Sequence, residues 1–131
     1  EDRRGISVLP LRTIDERLLT HMAVKFTIHV PHYKADGDGY PLHIADNVLC
    51  LFRECLLLGG ISGTTEVPCT GYCVGCLDDD YIRDEQTLFI VVTNDEKYRD
   101  VIVPALKWLK AYTNQKSIFV TREYTEVLYD V

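Results

Sequence analysis

The segment Val24-Lys25-Phe26-Thr27-Ile28-His29-Val30 alternates apolar and polar side chains. A period of two puts one set on each face of a strand, so this is a strand with one buried face. Pro31 ends it, and Asp36-Gly37-Asp38-Gly39 predicts a turn-rich loop, because glycine supplies positive φ and aspartate bonds its own backbone. From Ile44 to Leu58 the period becomes helical, with Ile44, Val48, Leu51, Phe52 and Cys55 marking the buried stripe. Gly59-Gly60 stops that helix by allowing the left-handed cap conformation.

Thr64 to Val74 predicts a second strand, in which Pro68 places a break or an edge position. Leu77-Asp78-Asp79-Asp80 is an acidic turn. Gln86 to Thr93 is almost continuously apolar and β-branched, the pattern of a central strand covered on both faces. Asn94 or Asp95 then caps a helix to about Tyr112, with Tyr98, Ile102, Ala105, Leu106 and Leu109 on its apolar stripe. Pro104 lies inside that span and should kink it or mark a break near Val101. Lys116 to Tyr124 supplies the last strand, and Thr125 to Val131 continues it or pairs as an extra edge strand.

Strand–helix–strand occurs twice in this order. Two such units make an α+β, ferredoxin-like βαββαβ domain, a four-stranded antiparallel sheet with two helices on one face. The uncovered face would expose apolar surface unless another chain, or residues 1–21, lay on it, so a homo-oligomer is expected. Residues 22–131 form the single domain. Residues 1–21 are an extension or an arm in which Ile14, Leu18 and Leu19 follow Thr13 and Asp15 at roughly helical spacing.

A chain of 131 residues can bury one sizeable core without disulfides or metal. Its net charge of −6, with basic residues scattered among acidic ones, argues against nucleic acid as a partner. No apolar run reaches the length of a membrane span. The five cysteines are an odd number, which a disulfide framework does not predict and a reducing compartment does, so a cytoplasmic location is expected.

From Lys25 to Val120 the chain resembles a loosely defined group of small bacterial, phage and plasmid proteins related to PII-like domains. The resemblance rests on Phe26-Thr27-Ile28-His29-Val30-Pro31, on Leu58-Gly59-Gly60, and on Thr65, Pro68 and Gly71. It also rests on the acidic pair Asp84-Glu85 and on Asn114-Gln115-Lys116-Ser117-Ile118. It implies the fold and self-association and supplies no catalytic residue. PII proteins hold nucleotide phosphates with basic residues, whereas here the segment from Cys73 through Asp84 is acidic. Lys107, Lys110, Lys116 and Arg122 are the candidate partners for a phosphate in a subunit cleft.

Cys69, Cys73 and Cys76 form the densest reactive cluster, and with His29 or His32 they could complete a tetrahedral zinc site. The opposing reading has Cys69 and Cys73 as core or interface thiols. No second ligand pair stands at a typical zinc distance, so no cofactor is expected. Cys73-Val74-Gly75-Cys76 also has redox-dithiol spacing, but it ends a strand and runs into carboxylates that would raise the thiol pKa. Asp78-Asp79-Asp80 with Asp84 and Glu85 could gather Mg²⁺, although loop charge runs are usually solvated surface.

The expectation from sequence leans away from an enzyme. It is a self-associating binding or regulatory domain that takes a small ligand or a partner protein. The alternatives are a small dimeric ferredoxin-like enzyme, with His29, Tyr33, His43 and Tyr72 as candidate catalytic residues, or a mobile-element protein that blocks a host factor.

Overall fold

The computed structural model describes residues 22–35, 41–74 and 81–128, with the backbone alone for residues 73, 74, 81 and 82. The alternating segment forms β1 (Met22–Pro31), with Val24, Phe26, Ile28 and Val30 buried and the residues between them half-exposed. A small hairpin follows, β2 (Tyr33–Ala35) against β3 (Pro41–His43). Helix α1 (Ala45–Leu58) leads to β4 (Thr65–Val74) and β5 (Tyr81–Thr93). A second helical stretch comprises α2 (Asp95–Lys97), a π-helical turn (Tyr98–Ile102) and α3 (Val103–Thr113), and β6 (Val120–Glu126) closes the sheet.

The four long strands pair antiparallel in the order β4-β5-β1-β6. The domain is ferredoxin-like, as the order of elements predicts. One face of the sheet carries the helices. Phe52 and Leu56 from α1, with Ile102, Ala105 and Leu109 from the second helical stretch, pack on Phe26, Ile28, Phe89 and Val91. Phe52 meets Phe89 edge-on at 5.1 Å between centroids, and Tyr98 stacks on Phe26 at 4.9 Å. Each large apolar side chain buried here contributes about 1.5–3 kcal/mol.

The second helix begins as expected, with the Asn94 side chain accepting the Lys97 N–H at 2.8 Å. Its break is the π turn, where the Val103 N–H reaches back to the Tyr98 carbonyl. Pro104 follows at once. Proline has no N–H and its ring presses on the carbonyl four residues earlier, and a widened turn relieves both problems without ending the helix. Asn114, at φ 54°, closes α3 in the left-handed conformation.

Several expectations change. Leu51 is 39% exposed, because it stands about 100° around the helix from Phe52, and Leu56 takes the buried place. Gly59 is right-handed at φ −76°, and Gly60 alone has positive φ, at 101°. The segment expected as loop after Pro31 contains the β2–β3 hairpin, while Asp36-Gly37-Asp38-Gly39 lies outside the described residues. The last strand begins at Val120, not Lys116. Strand β5 is central, but helices cover it on one face only, leaving Val92 42% exposed on the other. It also starts five residues early. Residues Tyr81–Glu85 pair with β4 and not with β1, so β4 and β5 run past the sheet as a two-stranded ribbon. Residues 1–21 lie outside the described residues, and no helix of the described residues is long and apolar enough to cross a membrane.

Candidate active site

The ribbon makes the site. Beyond the end of β1, its residues Tyr72 and Asp84 face the loop that enters β6, and together with His29, Pro31 and Gln86 at the end of the sheet they surround a cavity of about 510 Å³. Gln115, Ser117, Ile118 and Phe119 form the loop side. A neighbouring cavity of about 960 Å³ lies against the β2–β3 hairpin, lined by Tyr33, Ala35, Pro41, Arg83 and Glu85. Asp84 and Gln115 line both, so the two lie side by side as parts of one cleft.

Each wall is tied down. The His29 backbone N–H bonds the Phe119 carbonyl at 3.0 Å, carrying the β1–β6 pairing past the end of β6. The His29 ring stands edge-on to Phe119 at 4.8 Å and its Nδ1 meets Gln86 Oε1 at 2.7 Å. The Asn114 side-chain amide donates to the Ala35 carbonyl at 2.7 Å, which fastens the hairpin to the end of α3. The His32 N–H bonds the Glu85 carbonyl at 3.1 Å, and its ring Nε2 meets Thr87 Oγ1 at 2.7 Å.

The cleft is acidic at its centre. Asp84 is exposed at the cleft, yet the surrounding protein displaces enough water to push its pKa above the usual carboxylate value. Glu85 reinforces that rise and His32 opposes it. The His32 pKa is lowered, first by burial and then by His43, against the pull of Glu85 and Asp84. Arg83 is paired with Glu85 at 2.5 Å, so the cation nearest the ribbon is already partnered. No lysine or arginine is among the described residues lining the first cavity. Such a surface suits a cationic or hydrogen-bond-donating ligand with an aromatic part, since Tyr72 and Phe119 offer ring faces and edges.

Three of the four expected catalytic residues therefore share this cleft, His29 and Tyr72 in one cavity and Tyr33 in the other. His43 stands behind Tyr33, its ring 5.1 Å away. The basic residues expected to hold a phosphate lie apart from this cleft. Lys107 and Lys110 line a separate shallow depression with Ser117 and Ile118, and Lys116 is exposed on the loop. Arg122 pairs with Phe26 in register, and its guanidinium lies 5.7 Å from the Tyr98 ring centroid.

Among the described residues, no group of three metal-ligating side chains comes together. His29 and His32 bond different partners, Gln86 and Thr87. Cys69 sits opposite Gln86 in register, with its pKa raised by burial, Asp84 and Glu85, as an unreactive thiol would have. The side chain of Cys73, and Cys76 as a whole, lie outside the described residues, as do Asp78-Asp79-Asp80.

No family model matches the chain, and no curated protein matches it by sequence. Solved structures that share its fold include two of a phage protein. One is a phage SAM lyase in complex with S-methyl-5'-thioadenosine, 14% identical with a TM-score of 0.55. The other is a phage SAM lyase in the apo state, 12% identical with the same TM-score. Each match covers 83% of this chain and 84% of the solved one. The fold is thus that of a small phage protein, as the resemblance implied in part, with no family model supporting the PII-like half. The leaning away from an enzyme is overturned, because both of these solved chains are those of a lyase.

Proposed function

We propose that the chain is a small enzyme that binds S-adenosylmethionine in the ribbon cleft and breaks its sulfonium carbon–sulfur bond to release S-methyl-5'-thioadenosine. The observation that carries this reading is the acidic cleft itself, with Asp84 at its centre, ring surfaces on Tyr72 and Phe119, and no basic side chain among the described residues lining the first cavity. A sulfonium is a fixed cation, and a carboxylate held in reduced water favours it over neutral or anionic analogues. A nucleotide, by contrast, would bring phosphates against Asp84.

The chemistry asks little of the protein. The electron pair of the broken bond stays on sulfur, which becomes a neutral thioether. In a lyase, water takes no part, so the four-carbon fragment closes through its own carboxylate to a lactone or loses a proton to an alkene. Positioning the fragment and excluding water are then the main tasks of the cleft. His29, Tyr72, Gln86, Gln115 and Ser117 supply polar groups for the ribose, base and amino acid parts of the ligand.

The same reading has the protein self-associating through the sheet face opposite the helices, where Val67 is 41% and Val92 42% exposed. Incubation with S-adenosylmethionine, followed by mass spectrometry of the small molecules, tests the activity. Stoichiometric S-methyl-5'-thioadenosine with a lactone or alkene partner is expected. Unchanged substrate, together with no thermal stabilisation by S-methyl-5'-thioadenosine, would overturn the proposal.

A further inference from the structure

Gln86 occupies an unusual position. It stands on the sheet face opposite the helices, between β4 and β1, in register with Cys69 on one side and Pro31 on the other. Its amide reaches in both directions. The oxygen Oε1 lies 2.7 Å from His29 Nδ1, while the nitrogen Nε2 lies where a side chain on Gly71 would be, 2.7 Å from an ideal Cβ. An alanine there would collide with the amide, so the missing side chain of Gly71 makes the room in which the amide rests. Gly71 is an extended strand residue with no positive φ. The space above it, not its backbone freedom, is what the glycine provides.

A carbonyl oxygen only accepts hydrogen bonds, so with the Gln86 amide oriented this way, Oε1 toward the ring at 2.7 Å, the proton of neutral His29 belongs on Nδ1. The other ring nitrogen, Nε2, is then a lone-pair acceptor, and no described residue bonds it. We infer that Gln86 is a positioning residue that fixes His29 in the Nδ1–H tautomer, and that Gly71 holds Gln86 in place to do so. His29 thereby adds a neutral acceptor to a wall that already carries the Asp84 carboxylate. The cleft accordingly selects ligands that present donors at that point, such as an ammonium, a hydroxyl or an exocyclic amine. The identity of the ligand rests on the proposed function, but the tautomer does not.

Nitrogen-15 NMR of the full chain, labelled at its histidines, reads the tautomer directly once the pH is high enough to observe the neutral ring. Wild type should show His29 protonated at Nδ1. Gln86→Leu should convert it mainly to the Nε2–H form, and Gln86→Glu, which keeps an acceptor, should restore Nδ1–H. Gly71→Ala displaces only the end of a flexible side chain, so it should leave the amide spectrum folded while producing the same conversion. Affinity for S-methyl-5'-thioadenosine should fall about tenfold in Gln86→Leu and return in Gln86→Glu. Nε2–H in wild type, or an unchanged tautomer in Gln86→Leu and Gly71→Ala, would overturn the inference. Absence of binding by wild type, with the tautomer as expected, would overturn the proposed ligand and leave the positioning role standing.

Discussion

The two faces of β1 divide the molecule's labour. On one, Val24, Phe26, Ile28 and Val30 are shut between the sheet and the helices. On the other, one residue along, Lys25, Thr27, His29 and Pro31 stay half-exposed, and the last two line the cleft. The same ten residues thus serve the core and the cleft, separated by nothing more than the pleat. Substitutions on the two faces should fail in different ways.

The largest effect belongs to the helix-covered face. Phe52→Ala removes a fully buried ring that meets Phe89, and it should cost about 3–5 kcal/mol by denaturant unfolding. If the loss were below about 1 kcal/mol, the core would not have the packing described here.

The cleft should behave in the opposite sense. Asp84 has a raised pKa, so the native state holds its proton more tightly than the unfolded chain does. Stability attached to this group falls as pH rises through the interval between the unfolded and folded values. Asp84→Asn should therefore unfold no earlier than wild type at pH 7. It should nonetheless lose about tenfold or more in affinity for S-adenosylmethionine, since a cleft carboxylate facing a cation is removed. A calorimetric titration beside a melting curve checks both halves, and a variant that melted early while binding normally would reverse the comparison.

His32 gives the smallest effect and sits where the faces meet. Its pKa is lowered in the folded state, so the unfolded chain takes up a proton first and stability is lost as pH falls below about 6.5. His32→Gln should flatten that part of the stability profile. The same slope in wild type and variant would assign it to another group.

Much of the fold could be read from residue patterns. The alternation in β1 gave its buried face and put His29 on the other, and Pro104 announced the break that the π turn provides. The β2–β3 hairpin could not be read, since three-residue strands are too short to show a period. Residues 81–85 escaped for a related reason: paired on one side only, they lack the apolar run that marked the rest of β5.

The site was legible in pieces. Asp84, Gly71, Gln115 and Ser117 all fall within the short stretches that carried the family resemblance, though none was assigned a role there. Gln86 offered no signal, because a neutral amide acquires a task only when the register sets it beside His29 and Gly71. Lysines were weighed as phosphate partners on charge alone. The fold sets Lys107 and Lys110 on a depression of their own, away from the cleft, and lays Arg122 against Tyr98 and Tyr124.

The ribbon formed by the ends of β4 and β5 has a bearing on how such a protein can change. Its residues pair with one another, none of those whose side chains are described joins the buried cluster, and they supply one jaw of the cleft. Lengthening or shortening it by a residue pair would alter the gape of the site while leaving every core contact untouched. The limb works like a sliding caliper on a fixed frame. A lineage could retune what the cleft admits, many times over, before the domain itself had to adjust.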